Sequence, residues 1–150
     1  MGGRIHVELS DAPLSLDAAR RFVADPAHGA FNSFVGMVRA RNLGRDVLGM
    51  SYDVFEPLAV TTLQRLCEQV REEHEGRINL YIAHAKGRLA VGEVSVVIAV
   101  TTPHRAESFA ACRTLIEALK HETPIWKQEH YTDGDSEWVK GHSLCQHGVA

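Results

Sequence analysis

The sequence predicts an α+β fold, a single-domain sandwich with helices packed on one face of a mixed or antiparallel sheet. Three observations predict this class. Three amphipathic runs have helical spacing, five runs have strand character, and the tight reversal over residues 87–92 favours antiparallel pairing of the strands that flank it. Since no repeat, low-complexity segment or long linker divides the 150 residues, they are predicted to form one domain over 1–150, with a flexible tail over about 141–150.

The first half of the chain contains three predicted strands and two predicted helices. Residues 5–9, 30–39 and 48–55 have strand character. Between the first two lies an amphipathic run that follows the potential N-cap Ser15 and has apolar residues at helical spacing: Leu16, Ala19 and Val23. A second such run follows Pro57, since proline suits the first turn of a helix: Ala59, Leu63, Leu66, Cys67 and Val70. This second pattern places Arg71 on a solvated face.

The second half contains two further strands and the third helix. Strands are predicted over residues 78–84 and 93–102. Residues 96–100 are all apolar, so the later strand is predicted to be central and covered on both faces. The third helix carries Phe109, Cys112, Ile116 and Leu119 on one face. It must end before Pro124, because proline cannot continue a helix and disfavours helical angles in the residue before it.

Composition and charge restrict the function mainly by exclusion. The formal net charge is -3 with the nine histidines counted as neutral, so no overall positive field attracts nucleic acid or an anionic membrane. Any anion site has to be local. The longest apolar stretch, residues 94–100, is too short to span a membrane, and the N-terminus lacks a basic-then-apolar signal pattern. A cytoplasmic location is therefore the prediction.

The three cysteines are far apart in sequence. Their odd number and wide spacing argue against a disulfide framework, a zinc site or a redox motif. Cys67 and Cys112 fall on the apolar faces of predicted helices and are expected in the core. Cys145 is expected to be a free thiol in a polar tail, and a metal clip formed with His142 and His147 is the alternative.

Two blocks of cations are candidate anion sites. Arg39 lies at the end of a predicted strand, so the sheet would fix its guanidinium for a bidentate phosphate contact, whereas Arg41 and Arg45 are predicted to be exposed in a basic hairpin. His104 and Arg105 open the third helix, where unpaired backbone N–H groups favour an anion. The alternative for this helix start is a plain cap made by Thr102, Arg105 being solvated.

A third block holds two lysines on either side of Pro124. Lys120 lies just before the break and Lys127 just after it, so the reversal can turn both ammonium groups towards one cavity. A lysine with another cation nearby holds its proton less tightly and can act as a base or nucleophile. The alternative is that Lys120 only stabilises the helix dipole and that Lys127 is a solvated charge beside a packed Trp126.

Taken together, the three blocks resemble the large, catalytic subunit of molybdopterin synthase. That family pattern is F-x-G-x-V-R, T-x-x-H-R and K-x-x-x-P-x-W-K, and this chain matches it, in that order, at the following residues: Phe34, Gly36, Val38, Arg39, Thr101, His104, Arg105, Lys120, Pro124, Trp126 and Lys127. The likeness covers residues 34–127 and, more loosely, Glu56-Pro57 and residues 135–139. Two positions depart from it: Met37 stands where a lysine is frequent, and Ile125 where an aromatic residue is common.

The resemblance implies a fold and a reaction. The fold is the same class, plus a small extra sheet in which residues 125–131 and 137–139 pair across Asp133-Gly134. The reaction, in molybdenum cofactor biosynthesis, transfers two sulfur atoms to cyclic pyranopterin monophosphate and makes the dithiolene of molybdopterin. The sulfur arrives as a thiocarboxylate at the C-terminal Gly-Gly of a small, ubiquitin-like subunit, and the scheme requires no metal or other cofactor. A homodimer of large subunits with one small subunit at each outer end, a heterotetramer, is also implied.

The resemblance also implies roles for the candidate residues. Substrate phosphate and pterin would be held by Arg39, His104 and Arg105. Lys120 would contact the incoming tail and the reacting centre, and Lys127 would assist with charge and proton transfer. Phe34 is expected either in the core or as a ring stacked on the pterin.

Two alternatives from other functional classes stay open. One is a non-catalytic module that binds a ubiquitin-like tail, against which the presence of both Lys120 and Lys127 argues. The other is a small phosphate- or nucleotide-binding domain that uses only the helix start at Thr102 to Arg105. This last alternative leaves the two lysines unexplained.

Overall fold

The computed structural model describes residues 2–140 and confirms the predicted α+β class. Within that range the helices are α1 (Leu16–Val23), α2 (Glu56–Glu73) and α3 (Arg105–Glu122). The strands are β1 (Ile5–Ser10), β2 (Ala30–Met37), β3 (Arg41–Asn42), β4 (Arg45–Val54), β5 (Asn79–Ala85), β6 (Gly87–Ala90), β7 (Val94–Thr102), β8 (Ile125–Tyr131), β9 (Gly134–Asp135) and β10 (Val139–Lys140). The predicted tail lies outside the described residues, and so do Cys145, His142 and His147.

The first sheet is mixed and has the strand order β1-β5-β7-β2. β1 runs parallel to β5, whereas β7 is antiparallel to both of its neighbours. As predicted, β7 is a central strand, and its residues from Ser95 onwards are buried. β2 is an edge strand, and a bulge between Gly36 and Met37 shifts its register at the end that leads to Arg39.

Helices cover both faces of the first sheet, because alternate residues of its strands point to opposite sides. α1 packs against Tyr81, Ala83, Val97 and Ala99, whereas α2 and α3 pack against the intervening residues Leu80, Ile82, Val96 and Ile98. The expectation that all helices share one face is therefore wrong for α1. Its predicted cap is confirmed, since Ser15 Oγ accepts a hydrogen bond of 3.0 Å from the backbone N–H of Ala18.

The second sheet has six strands and is larger than the small C-terminal sheet that the resemblance implied. Its order is β10-β8-β4-β3, with β6 on β4 and β9 on β8. β8 pairs with β4 along most of its length, and Val139 of β10 pairs with Lys127. The interpretation of residues 87–92 as a simple reversal is wrong, because β6 lies there and pairs with β4. The flanking strands β5 and β7 do pair antiparallel, as predicted.

A single hydrophobic cluster joins the two sheets. It contains Leu80 and Ile98 from the first sheet, Tyr52 and Ile125 from the second, and Leu115 from α3. Cys67 and Cys112 are buried in the same cluster, which confirms the prediction that both are core residues. Among residues 2–140, no helix is both long enough and apolar enough to cross a lipid bilayer.

One predicted surface residue is not fully solvated. Arg71, in the last turn of α2, is half-buried, and its Nη1 donates a hydrogen bond of 3.1 Å to the carbonyl oxygen of Gly3. The guanidinium therefore ties α2 to the segment before β1. The prediction of a solvated face was wrong at this position because the helix periodicity does not show where the N-terminal segment runs.

Candidate functional site

A cavity of about 390 Å³ lies where the end of β2 and the C-terminal end of α3 meet the second sheet. Two of the three predicted blocks meet there. Side chains from both sheets and from α3 line it, among them Phe34, Arg39, Tyr52, Lys120, Lys127 and Glu129. Residues up to 95 positions apart in sequence thus share one cavity, which makes it the candidate active site.

Lys120 and Lys127 reach this cavity from two different elements. Lys120 lies in the last turn of α3, and Lys127 is the third residue of β8. The reversal between them is as predicted: Thr123 has extended backbone angles (φ -91°, ψ 138°), and β8 starts directly after Pro124. Both lysine side chains are half-buried. Two ammonium groups at one cavity make it suited to an anionic ligand.

Arg39 supplies a third cation at the cavity, two residues after the end of β2. It is exposed, and its Nη2 donates a hydrogen bond of 2.9 Å to Asn42 Oδ1, which lies on β3. This bond orients the guanidinium within the loop. The other N–H groups of the planar guanidinium are not used in this bond, and a guanidinium can bind a phosphate in a bidentate way.

Two residues of β2 shape the wall of the cavity. Phe34 is 38% exposed and lines the cavity, so the expectation that it belongs to the core is wrong, whereas its stacking on a pterin stays a prediction. At Gly36, a Cβ atom would lie only 2.7 Å from Val96 Cγ1 and 3.2 Å from Ser95 Oγ. Glycine is required here because any side chain would collide with β7.

The two departures from the family pattern have different surroundings. Met37 is 59% exposed and lines the cavity, so this chain presents an apolar thioether where a lysine is frequent in the family. Ile125 is buried and lines only a narrow cleft beside the cavity. The first departure changes the charge of the cavity, and the second changes its packing.

Glu129 is a cavity residue that the sequence analysis missed. It is 3% exposed, and its Oε2 accepts hydrogen bonds from Asn42 Nδ2 (2.7 Å) and from the Tyr131 hydroxyl (2.8 Å). Burial raises the pKa of that hydroxyl, with the Glu129 contact adding to the effect, so Tyr131 stays a donor. The sequence could have identified Glu129 from the alternation of side chains along β8. Lys127 and Glu129 are two residues apart on this strand, so they must share a face.

His84 is a second residue that the sequence analysis did not identify. It lies on β5 and lines a narrow cleft of about 10 Å³ together with Tyr52, Lys120 and Lys127. Burial, followed by the charges of the two lysines, lowers the pKa of His84 to about 4. The imidazole is therefore neutral at neutral pH.

His104 and Arg105 lie far from the cavity in one copy of the chain. Both are exposed at the start of α3, and Arg105 precedes Lys120 by 15 residues on that helix, or about 22 Å at 1.5 Å per residue. The plain-cap alternative is wrong for Thr102, whose hydroxyl donates its hydrogen bond to the His104 carbonyl instead of accepting one from a helix N–H. Its other half agrees with the structure, since Arg105 is exposed. Their role as substrate ligands stays a prediction and requires a second copy of the chain.

A polar chain on the second sheet has the order of groups found in serine hydrolases. Ser51 Oγ lies 2.7 Å from His130 Nε2, and His130 Nδ1 lies 3.0 Å from Asp135 Oδ1. Ser51 is not among the residues that line the cavity or the narrow cleft. Because Ser51, His130 and Asp135 belong to β4, β8 and β9, their hydrogen bonds hold the short strand β9 on the sheet.

Comparison with known proteins agrees with this arrangement. The family model of the MoaE protein matches residues 9–122. The molybdopterin synthase catalytic subunit of Synechococcus elongatus is 48% identical over 143 residues, which are 95% of this chain and 87% of the relative. The molybdopterin synthase catalytic subunit 1 of Mycobacterium tuberculosis is 40% identical over 138 residues, 92% of each chain.

A solved structure extends the agreement to three dimensions. The crystal structure of molybdopterin synthase from Staphylococcus aureus superimposes with a TM-score of 0.80 at 28% sequence identity, over 93% of this chain and 97% of that one. The family model covers well over half of the residues, and the curated relatives match along nearly the whole chain. The chain therefore belongs to the MoaE family, the family of molybdopterin synthase catalytic subunits.

Proposed function

We propose that this chain is the catalytic subunit of a molybdopterin synthase and acts in molybdenum cofactor biosynthesis. It takes sulfur from the C-terminal thiocarboxylate of a small ubiquitin-like subunit and transfers it to cyclic pyranopterin monophosphate, which gives the molybdopterin dithiolene. The observation that carries the proposal is the convergence of Lys120, Lys127 and Arg39 at one cavity in a member of the MoaE family. We also propose that the chain is one domain, since one core joins its two sheets.

The charges at the cavity suit this transfer. The substrate carries a phosphate, the donor is a thiocarboxylate, and a carboxylate leaves once the sulfur has been passed on, so each stage involves an anion. Fixed cations stabilise such charges without reorganisation during the reaction. We assign the reacting centre and the incoming tail to Lys120, charge and proton transfer to Lys127, and the phosphate to Arg39. Phe34 offers a ring face to the pterin.

The sulfur has to come from a partner, because the described cysteines are unsuited to carry it. Burial raises the pKa of Cys67 to about 12 and that of Cys112 to about 11, so neither thiol ionises near neutral pH. Both are in the core. A small subunit with a C-terminal thiocarboxylate, which the family resemblance implies, supplies the missing donor.

The deciding experiment mixes the purified chain with a thiocarboxylated small subunit and cyclic pyranopterin monophosphate, and assays molybdopterin. We expect product in the complete mixture and none when the small subunit is replaced by inorganic sulfide. Product formed by the chain and sulfide alone would contradict the proposal. Binding of the small subunit without any turnover would instead favour the alternative of a non-catalytic binding module.

The alternative of a phosphate- or nucleotide-binding domain at the start of α3 has little support. The depression beside His104 is lined by three carboxylates, those of Glu73, Glu75 and Glu107, and its one arginine, Arg77, is already paired with Glu75 at 3.0 Å. Carboxylates repel phosphate, so the local field opposes the effect of the helix N-terminus. The cavity at the other end of α3 is the better anion site.

A further inference from the structure

We infer, on the basis of the proposed function, that His84 is a positioning residue for Lys120. Its neutral imidazole presents Nε2 as a fixed hydrogen-bond acceptor in the narrow cleft, and this acceptor holds the Lys120 ammonium at the cavity. The cleft is lined by both lysines and by His84. His84 is buried and does not line the main cavity, so it acts on Lys120 from behind the site.

The hydrogen bond of the other ring nitrogen determines which nitrogen can accept. His84 Nδ1 lies 2.7 Å from the carbonyl oxygen of Ala85. A carbonyl only accepts, so Nδ1 carries the hydrogen, and the lone pair of the neutral ring is on Nε2. His84 is 2% exposed, and the Tyr52 ring meets it edge-on at a centroid distance of 4.9 Å. The ring is therefore held in one orientation.

The surroundings of His84 supply cations from two elements. Lys120 approaches from α3 and Lys127 from β8, and the Tyr52 phenol approaches from β4. Within its own sheet, His84 pairs with the apolar residues Leu9 of β1 and Val96 of β7. Because burial and both lysines oppose protonation of the ring, it stays neutral and adds no third positive charge to the cleft.

The size of the cleft limits how the lysines can contact the ring. Its volume of about 10 Å³ corresponds to roughly one water molecule. No direct hydrogen bond joins Lys120 Nζ to Nε2 in the described part of the chain, so the contact that we infer runs through one water in the cleft. The acceptor then compensates for the repulsion between two neighbouring ammonium groups and holds the Lys120 side chain in the cleft.

The test uses amine labelling of the full-length chain, without substrate or small subunit. The sequence has four lysines, Lys86, Lys120, Lys127 and Lys140, so mass spectrometry can follow each of them after brief treatment with acetic anhydride at fixed pH. Lys140, on β10, is the internal standard. Three variants separate the two ring nitrogens: His84→Gln places an amide oxygen near the position of Nε2, His84→Asn reaches only the position of Nδ1, and His84→Phe removes both.

We expect Lys120 to be acetylated about tenfold faster, relative to Lys140, in His84→Asn and His84→Phe, because a side chain that has lost its acceptor leaves the cleft and meets the reagent more often. In His84→Gln its rate should stay within about twofold of the wild-type rate. Equal Lys120 rates in all folded variants would overturn the inference, and so would a His84→Gln variant as fast as His84→Asn. If His84→Phe does not fold, the Gln and Asn pair still decides. Since no turnover is measured, a failed synthase assay leaves this result intact.

Discussion

At the scale of single residues, the position of a cation on α3 determines whether it contributes to turnover. Lys120 is half-buried at the cavity, whereas Arg113, seven residues earlier on the same helix, is exposed and away from it. We expect Lys120→Ala to lower turnover by about a hundredfold or more, because it removes charge stabilisation and a proton carrier. The variant should still fold, with a loss in the free energy of unfolding of about 1 kcal/mol. Turnover with the thiocarboxylated small subunit and urea unfolding measure the two effects.

Arg113→Ala is the matched control, since it removes a cation from α3 without touching the cavity. It should change neither quantity. Arg71 is unsuitable for this purpose, because its hydrogen bond to Gly3 links α2 to the N-terminal segment. Lys120→Arg keeps the charge and loses the compact amine, so near-normal turnover in that variant would leave Lys120 with an electrostatic role only.

His84 makes stability depend on pH in a defined direction. Its pKa is about 4 in the folded chain, against an ordinary value of 6.5. Between these values the unfolded chain binds a proton that the folded chain does not, so the free energy of unfolding falls as the pH drops from 6.5 to 4. The expected loss is about 3 kcal/mol. Urea unfolding at pH 7 and pH 4.5 should show a drop that is clearly smaller in His84→Gln.

The exposed His121→Ala variant serves as the comparison for this measurement. It should retain the full wild-type drop between the two pH values. A drop of equal size in wild type and His84→Gln would mean that other groups cause the acid sensitivity, and that folding does not lower the pKa of His84.

At the scale of elements, the edge strand β2 lies so close to β7 that the cavity wall has no room for a side chain at Gly36. Gly36→Ala places a Cβ atom 2.7 Å from Val96 Cγ1, on the strand next to it. We expect the free energy of unfolding to fall by about 1–3 kcal/mol, since β7 is central and cannot move aside. The affinity for cyclic pyranopterin monophosphate, measured by calorimetry, should fall as well. Ser33→Ala, on the same strand but not at the cavity, is the control.

Elements with strong local patterns could be predicted from sequence. The apolar run of β7 indicated a central strand, and Ser15 with its amphipathic run indicated α1. The pairing of β4 with β8 could not be predicted, because the two strands are about seventy residues apart and nothing local specifies the partner. The same limit explains why α1 was assigned to the wrong face of the sheet, since periodicity shows which face of a helix is apolar but not what covers it.

For the candidate site as well, local features could be predicted from the sequence, whereas contacts between distant strands could not. Lys120 and Lys127 could be paired because Pro124 forces a local reversal. Glu129 and His84 were missed because their importance depends on contacts between strands. The grouping of His104 and Arg105 with Arg39 overlooked the length of α3, which separates its two ends by about 25 Å.

At the scale of the whole molecule, α3 has predicted functional groups at both ends, and a homodimer can unite them in one site. If His104 and Arg105 of one subunit complete the cavity of the other, Arg105→Ala and Lys120→Ala are each nearly inactive. Refolding the two variants together should then restore about a quarter of wild-type turnover, since half of the dimers are mixed and each mixed dimer has one intact site.

The control for this prediction is co-refolding Lys120→Ala with Lys127→Ala. Both lysines line the same cavity of one subunit, so the mixed dimer has no cavity with both lysines and should stay inactive. A mixture of Arg105→Ala and Lys120→Ala that stays inactive would show that the start of α3 does not serve the neighbouring site. Calorimetry on Arg105→Ala alone should show precursor affinity weakened by about 1.5–3 kcal/mol if the arginine binds phosphate.

The helix α3 also sets a constraint on how this family member can change in length. One inserted residue between Arg113 and Thr114 would rotate everything after it by about 100° and move it by about 1.5 Å. Lys120 would then point away from the cavity, while β8 and its Lys127 would have to shift register against β4. Insertions and deletions in α3 are consequently tolerable only in steps close to whole turns, and the surface loops are where the length of such a chain can drift freely.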